Sequence, residues 1–475
     1  MSTPAITTTT LRADLRELFE LAAPVVFVQV GLMAMGVVDT ILVGRVSADA
    51  LAAVALGNMY FMTVCMLGMG VLFALDTVIS QAVGADDSPG VARGMQRGLV
   101  LALAMSIPSL IPLLLARPVF AALGQPAAVV PIAGAYVMAS IPGLLPFFGF
   151  IVLRQSLQAM GRLRPIVLAI VFANLLNALL CWMFVFGNLG APAMGAVGTA
   201  VASTIGRWAM ALFLLVAAWR HLRPALSTWS RAAIEPEPLR RMLRLGLPIG
   251  LQFVLEVGVF SLVGIMMGRI SAIALAGHQV AITLASLTFM VPLGISVSGG
   301  VLVGRAVGRR DADGARRAAR MAIAVSATFM SVSALTMLTL PRLYASLYTS
   351  DAAVIAVAAS LIPIAGVFQI FDGLQVTSGG VLRGFGETRS PMMANLVGYW
   401  VLGFPVSLAL GFTFGLGPRG LWWGFVVGLG TVAVFLLWRV RTKLLHVPEP
   451  LAIDSPPPPG IAQPDPFAAA EHPAG

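Results

Sequence analysis

The residues of greatest chemical interest are acidic side chains within long apolar stretches. Asp39, Glu256 and Asp372 each lie among Val, Leu, Ile, Phe and Gly, where hydropathy predicts a membrane interior. A charge at the bilayer centre costs on the order of 2.5–3.5 kcal/mol, so such residues usually belong to an ion or substrate pathway. A carboxylate in this environment favours neutralisation by a proton, Na⁺ or an organic cation. We therefore expect these acids to bind cations; structural hydrogen bonding between helices is the alternative.

Other polar residues in the apolar stretches have competing interpretations. Asp76 lies towards one end of its stretch, where it is expected to face solvent or Arg93, or to support an ion site. Arg207 is expected to neutralise a neighbour or to extend its charged end towards the interface. His278 and Gln279 begin another stretch, and either a structural polar pair or a role in lining a cavity fits them.

The composition predicts the elements that position these residues. Of 475 residues, 58% are hydrophobic and 11% are charged, and the mean hydropathy is +0.92. Soluble domains carry about 25% charged residues, so soluble enzymes are poor candidates. Cys65 and Cys181 lie in apolar runs, and the four histidines form no cluster, so we expect no disulfide framework, structural metal or cofactor. A polytopic membrane protein embedded in a lipid bilayer fits best.

The apolar stretches predict a helical protein. At about 20 apolar residues per span, the chain accommodates about twelve transmembrane helices. The stretches are too long for strands and lack alternating polarity, which argues against a β-barrel. We place the helices near residues 18–43, 51–82, 97–116, 129–152, 166–187, 195–219, 243–267, 274–304, 319–340, 353–381, 392–413 and 420–438.

The basic residues predict the orientation. Of the 30 Lys and Arg residues, 24 lie at the termini and in every second loop, 5 lie in the alternate loops, and the remaining one is Arg207. Cytoplasmic loops carry the excess of positive charge, so both termini are predicted to be cytoplasmic. The same distribution explains the net charge of +10 without nucleic-acid binding. The chain has 29 Arg and one Lys, as is typical of a GC-rich bacterial genome, and we expect a bacterial inner membrane.

The sequence repeats itself. Residues 44–48 match residues 268–272 at an offset of 224, and residues 82–84 match 306–308 at the same offset. Each half has an even number of predicted spans, so the repeats are parallel. We expect two pseudo-symmetric six-helix bundles around a central cleft, the arrangement of an alternating-access transporter.

The repeat also exposes an asymmetry. Glu256 corresponds to Leu32, Asp39 corresponds to Val263, and Asp372 corresponds to an apolar position near Phe147. The first half therefore has one central acid and the second half has a pair. Different acids on a repeated scaffold indicate function.

Five segments follow from these patterns. They are a cytoplasmic N-terminal segment 1–17, an N-terminal six-helix bundle 18–219, a cytoplasmic linker 220–242, a C-terminal six-helix bundle 243–441 and a Pro-rich, disordered cytoplasmic tail 446–475.

Several stretches resemble a known family. MGVVDTILVGRVSADALAAVALG, ALAGHQVAITLASLTFMVPLGISVSGGVLVGRAVG, FQIFDGLQVTSGGVLRGFGETRSP and GYWVLGFPVSLALG are similar to segments of the multidrug and toxic-compound extrusion (MATE) family, close to its NorM-like branch. The similarity extends from about residue 15 to residue 441. It implies a secondary antiporter that exports organic cations and other amphipathic drugs in exchange for inward Na⁺ or H⁺. As partners we expect cationic amphipathic small molecules, and we expect the protein to be a monomer.

The resemblance also implies roles for particular residues. Glu256 and Asp372 match acids associated with the coupling ion, and would be the metal ligands if that ion is Na⁺. Asp39 matches a further acid near asparagines of the fifth span. Asn177 occupies the matching asparagine position, Asn174 lies one turn before it, and Cys181 stands where a polar residue is expected.

Other functions remain as alternatives. A flippase for lipid or lipid-linked substrates uses related bundles, but its cavity should be more cationic than these acids suggest. A membrane-embedded enzyme is disfavoured because we find no metalloprotease helix, nucleophile set or phosphate-binding loop. A passive channel is less consistent with paired halves and an acid pair in the membrane.

Overall fold

The computed structural model describes residues 8–446 and 449–454, with side chains from Arg12 onward. Within these ranges every regular element is a helix, and twelve helices are long and apolar enough to span a membrane. These are α1 (Arg12–Val43, in a helix that begins at Thr8), α2 (Ala48–Gly84), α3 (Ser88–Leu114), α4 (Val129–Ala159), α5 (Arg164–Phe186), α6 (Ala196–Ala217), α7 (Pro236–Ile270), α8 (Ala272–Gly308), α9 (Ala312–Thr339), α10 (Ala352–Gly384), α11 (Arg389–Thr413) and α12 (Gly417–Lys443). The predicted all-helical, twelve-span fold is confirmed.

Shorter elements connect or interrupt these helices. The short helices are Ala116–Ala122, Trp219–Ser227 and Pro341–Ser346, and the 3₁₀ turns are Ile141–Gly143 within α4, Asn188–Gly190 and Arg231–Ile234. Two segments of α11, Leu396–Gly403 and Ala409–Thr413, are π-helical. π-Helical turns are rare in proteins, and those that do occur often lie at functional sites.

The internal repeat is visible in how the helices begin. The Ser47 hydroxyl accepts a 3.0 Å hydrogen bond from the amide of Ala50 at the start of α2. The Ser271 hydroxyl accepts a 3.0 Å hydrogen bond from the amide of Ala274 at the start of α8. Both serines have extended backbones, with φ of −168° and −171°. Each is an N-cap that satisfies a free amide, and the two caps are 224 residues apart.

The next connection repeats as well. Asp86 and Arg310 have left-handed φ angles of 53° and 57°, which are unusual for residues other than glycine. The following residues, Asp87 and Asp311, each accept a 2.8 Å hydrogen bond from the amide three positions on. The same turn therefore leads into α3 and α9, although Asp86 and Arg310 share no side-chain chemistry.

Packing divides the described residues into two compact units. The C-terminal unit contains the chain up to Val26 and Leu251–Leu451, and the N-terminal unit contains Phe27–Gly250 and the segment from Ala452. The borders fall inside α1 and α7. In the C-terminal unit, Leu18 of α1 is buried in a cluster that includes Leu302 of α8.

Glycines allow α8 and α10 of the C-terminal unit to approach closely. A side chain at Gly380 would place its Cβ 2.3 Å from the backbone oxygen of Ser296, and one at Gly384 would place it 2.5 Å from the oxygen of Gly300. The Ser296 hydroxyl also donates a 2.6 Å hydrogen bond to the carbonyl of Val376. Small residues four apart on one helix are typical of tight packing between membrane helices.

Gly380→Ala is expected to destabilise the protein by about 1–3 kcal/mol, because the new methyl group meets backbone that cannot rotate away. Gly149→Ala in α4 is the matched control, since its Cβ would have no neighbour within 4 Å. That change should leave stability equal or raise it by up to about 1 kcal/mol through helix propensity. Thermal unfolding of the detergent-purified variants measures both; equal melting temperatures would contradict the prediction.

The predicted linker and tail contain ordered contacts within the N-terminal unit. Arg97 donates to the carbonyl of Ala232 at 3.1 Å and forms a 2.5 Å ion pair with Asp454. Arg93 pairs with the other oxygen of Asp454 at 2.7 Å, and Arg241 donates to two carbonyls of the same tail segment. Residues 447–448 and 455–475 of the predicted disordered tail lie outside the described residues, as do residues 1–7 of the predicted N-terminal segment.

Candidate cation sites in the two units

The N-terminal unit surrounds Asp39 of α1 with neutral hydrogen-bond donors. The Asn177 amide donates to Oδ1 at 2.7 Å, and the Cys181 thiol donates to the same oxygen at 3.1 Å. The Ser203 hydroxyl donates to Oδ2 at 3.4 Å. A carboxylate accepts about four hydrogen bonds, so this half-buried group has capacity for one more partner. Cys181, the departure from the expected polar residue, acts here as a donor.

Helix periodicity brings a cation to the same cluster. Arg207 follows Ser203 by one turn of α6, so both side chains lie on the same face. The Arg207 guanidinium lies 4.1 Å from the ring centroid of Phe61 and 5.5 Å from that of Phe147. Arg207 forms no ion pair with Asp39 in the described part of the chain, although its charge is close enough to act on Asp39. The two opposite charges are neighbours without direct contact.

Asn174, predicted to support this site, has another partner. Its amide donates to the carbonyl of Gly31 at 3.0 Å and to that of Ile170 at 2.9 Å. Gly31 has no room for a side chain, because a Cβ there would lie 2.4 Å from Ile170. Asn174 therefore joins α5 to α1, two turns away from Asp39 along α1.

The C-terminal unit brings Glu256 of α7 and Asp372 of α10 together. The charge of Glu256 acts on Asp372, which is 7% exposed, and the charge of Arg383 acts on Glu256. The Asn395 amide donates to Glu256 at 3.4 Å, and the Gln375 amide donates to the oxygen of Asn395 at 3.4 Å. Carboxylate and amide oxygens suit a hard cation or a proton. The acid pair predicted from sequence lies beside two amides that the sequence analysis missed.

A buried tyrosine lies near the acid pair of the C-terminal unit. Tyr399 of the first π-helical segment is fully buried and lies within electrostatic range of both acids. Its hydroxyl is buried and has no hydrogen-bond partner among the described residues. Its ring packs against Phe260, which also contacts Phe368.

One of the two missed amides could have been found from the sequence. Gln375 follows Asp372 by three residues, and this spacing places both side chains on the same face of the helix.

The two other predicted support residues lie elsewhere. Asp76 of α2 accepts a 2.8 Å hydrogen bond from Gln155 and longer ones, at 3.4 Å, from Gln158. Gln279 is exposed on α8, and its neighbour His278 is buried against the Trp422 ring at 5.7 Å between centroids. Across the described ranges, no group of three or more His, Cys, Asp and Glu could hold a metal ion. Any metal ion at Glu256 and Asp372 would therefore need amide or carbonyl ligands as well.

Comparison with known proteins agrees with this arrangement. The MatE family profile matches residues 24–183 and 248–409. The chain is 36% identical over 431 residues to the multidrug resistance protein NorM of Burkholderia vietnamiensis, covering 89% of this chain and 93% of that one. It is 33% identical over 440 residues to the multidrug resistance protein MdtK of Edwardsiella ictaluri, covering 90% and 95%. The bent form of the Vibrio cholerae MATE transporter VcmN superposes with a TM-score of 0.81 at 20% identity, covering 92% and 98%.

The solved structure establishes the shared fold, and the family profile and relatives establish the kinship. The matched segments contain all three acids, one in the first segment and two in the second. The relatives are covered over almost their whole length, which shows that the match is not limited to a single helix pair. The chain belongs to the MatE family of membrane transporters and is not an enzyme.

Proposed function

We propose that this protein is a multidrug efflux antiporter that exports amphipathic organic cations in exchange for inward Na⁺ or H⁺ by alternating access. The observation that carries the proposal is the Glu256–Asp372 pair, two mutually repelling carboxylates beside the Asn395 amide. Such a pair in a low-dielectric setting gains from binding one positive charge. The names of the NorM and MdtK relatives support the drug class of substrate.

Exchange follows if one bound cation excludes the other. Glu256 and Asp372 hold the coupling ion, and Asp39 takes part in binding or exchanging the substrate cation. Entry of the coupling ion then lowers the affinity for the drug, and drug binding lowers the affinity for the ion; this reciprocity is required by linkage. The excess of Arg at the termini and in every second loop supports cytoplasmic termini. The 29 Arg to one Lys supports a bacterial inner membrane.

Reconstitution into liposomes tests the proposal. Ethidium movement is followed under a Na⁺ gradient alone, a pH gradient alone and neither, with protein-free liposomes as the control. Movement driven by one gradient supports the antiporter and identifies its ion. If neither gradient moves ethidium with folded protein, the antiporter is ruled out and lipid translocation becomes the function to assay.

A further inference from the structure

Arg207 is a buried cation in the N-terminal unit, and it makes none of the hydrogen bonds described above around Asp39. The residue is 8% exposed, and its Nη1 is buried with no hydrogen-bond partner within the described part of the chain. A buried guanidinium nitrogen without an acceptor is costly, so such a group normally has a partner. No residue in the described part of the N-terminal unit supplies that acceptor.

The surroundings of Arg207 fix its position and leave this donor free. Phe61 and Phe147 hold the guanidinium by cation–π contact, and a side chain at Gly143 would place its Cβ 3.1 Å from the Arg207 Cδ. Aromatic faces stabilise the positive charge but accept no strong hydrogen bond. A planar guanidinium with an open N–H is suited to a carboxylate, which it binds with good geometry.

Asp39 supplies the negative charge that complements the positive charge of Arg207. Asp39 accepts a hydrogen bond from Ser203, which lies one turn of α6 before Arg207. Its carboxylate keeps capacity for one more donor and forms no ion pair with Arg207 among the described residues. A carboxylate and a guanidinium that are neighbours without bonding each other present opposite charges to a third molecule. The partly exposed ring of Phe147, which packs on the buried ring of Phe61 next to Arg207, offers an apolar face.

We propose that Arg207 is a specificity-determining residue that, together with Asp39, makes the N-terminal unit select amphipathic zwitterions, which carry a carboxylate as well as a cationic group, over amphipathic cations that lack the carboxylate. The substrate cation binds Asp39, and the substrate carboxylate accepts the free N–H of Arg207. This inference rests on the proposed export function and specifies its substrate class.

A matched pair of dyes tests the selection. Rhodamine 19 has a free carboxylate, and rhodamine 6G is its ethyl ester, so the pair differs at the group that Arg207 would bind. Fluorescence anisotropy with purified protein, without any gradient, gives both Kd values. Wild-type protein should bind the free acid about tenfold more tightly than the ester, as expected for one charge-assisted hydrogen bond. Equal affinities, or tighter binding of the ester, would overturn the proposal without any variant.

Arg207→Met then assigns the preference to this residue. Met keeps the apolar volume between the two rings and removes the charge, so the acid should bind about tenfold more weakly and the ester equally or more tightly. Arg154→Met is the matched control: Arg154 is also a buried arginine of the N-terminal unit near a ring, that of Phe73, and its Nε also lacks a partner among the described residues. Its Nη1 donates to Gln29, however, and the acid that acts on its charge is Asp76 and not Asp39. An unchanged acid-to-ester ratio in Arg207→Met, or an equal change in Arg154→Met, overturns the assignment.

The binding experiment separates this inference from the proposed function. If the ratio changes in Arg207→Met but liposomes show no gradient-driven export, the selection stands and the antiporter fails. If export is gradient-driven and the ratio does not change, only the selection fails. Should Arg207→Met not fold, the wild-type preference between the two dyes decides the proposal.

Discussion

Glu256→Gln is expected to reduce gradient-driven export by about a hundredfold, the loss that corresponds to one strong interaction with a charged group. Gln has the size of Glu and can still accept the hydrogen bond from Asn395. It cannot carry the negative charge that attracts the coupling ion, nor can it take up and release a proton. The pair with Asp372 then retains one carboxylate, and binding of the coupling ion no longer relieves repulsion between two of them.

The measurement is ethidium export from liposomes under the gradient that drives the wild-type protein. Glu20→Gln is the matched control, because it makes the same chemical change at an exposed residue of the C-terminal unit whose ion pair with Arg16 is worth little. Gel filtration and the melting temperature check that both variants fold. Export by Glu256→Gln at the wild-type rate would show that Glu256 is not part of the coupling site.

The sequence predicts the helices of this protein because the bilayer leaves few choices. Backbone groups in lipid must be satisfied within the segment, so a long apolar stretch becomes a helix whatever its neighbours are. The repeat adds the equivalence of the halves, and the caps at Ser47 and Ser271 reproduce it in hydrogen-bond geometry. The borders of the packed units, inside α1 and α7, follow from which helices meet, and a hydropathy pattern does not contain that information.

The sites are predictable only in part, for a related reason. A charge in an apolar stretch is conspicuous, so Asp39, Glu256 and Asp372 can be selected from sequence alone. Their partners are uncharged amides and hydroxyls, such as Asn395, which cost less in a membrane and stand out less. Whether an amide meets the acid depends on how its helix is rotated.

The two asparagines of α5 illustrate this limit. Asn177 donates to Asp39, while Asn174, three residues earlier, donates to Gly31. Both are amides on the same helix at a spacing that places them on similar faces. Only the packing of α5 on α1 decides which of the two meets the acid.

Asp39→Asn is expected to weaken ethidium binding by about a hundredfold. The substitution removes the charge that attracts the cation and leaves Arg207 as an uncompensated positive charge in the same buried cluster. Leaving one member of a buried pair of opposite charges without its counterpart is strongly unfavourable for a further positive charge. The effect should therefore exceed the loss of one hydrogen bond.

A double-mutant cycle tests that reasoning. Asp39→Asn combined with Arg207→Met should bind ethidium about tenfold more tightly than Asp39→Asn alone, because the second change removes the repelling charge. Asp49→Asn is the matched control: Asp49 is exposed at the start of α2, and its loss should leave the Kd within about twofold of the wild-type value. Wild-type binding by Asp39→Asn would remove Asp39 from the substrate site. If Arg207→Met does not relieve the loss in Asp39→Asn, or relieves it by no more than it strengthens ethidium binding in the wild-type background, the two charges act independently and the electrostatic coupling inferred from their proximity is wrong.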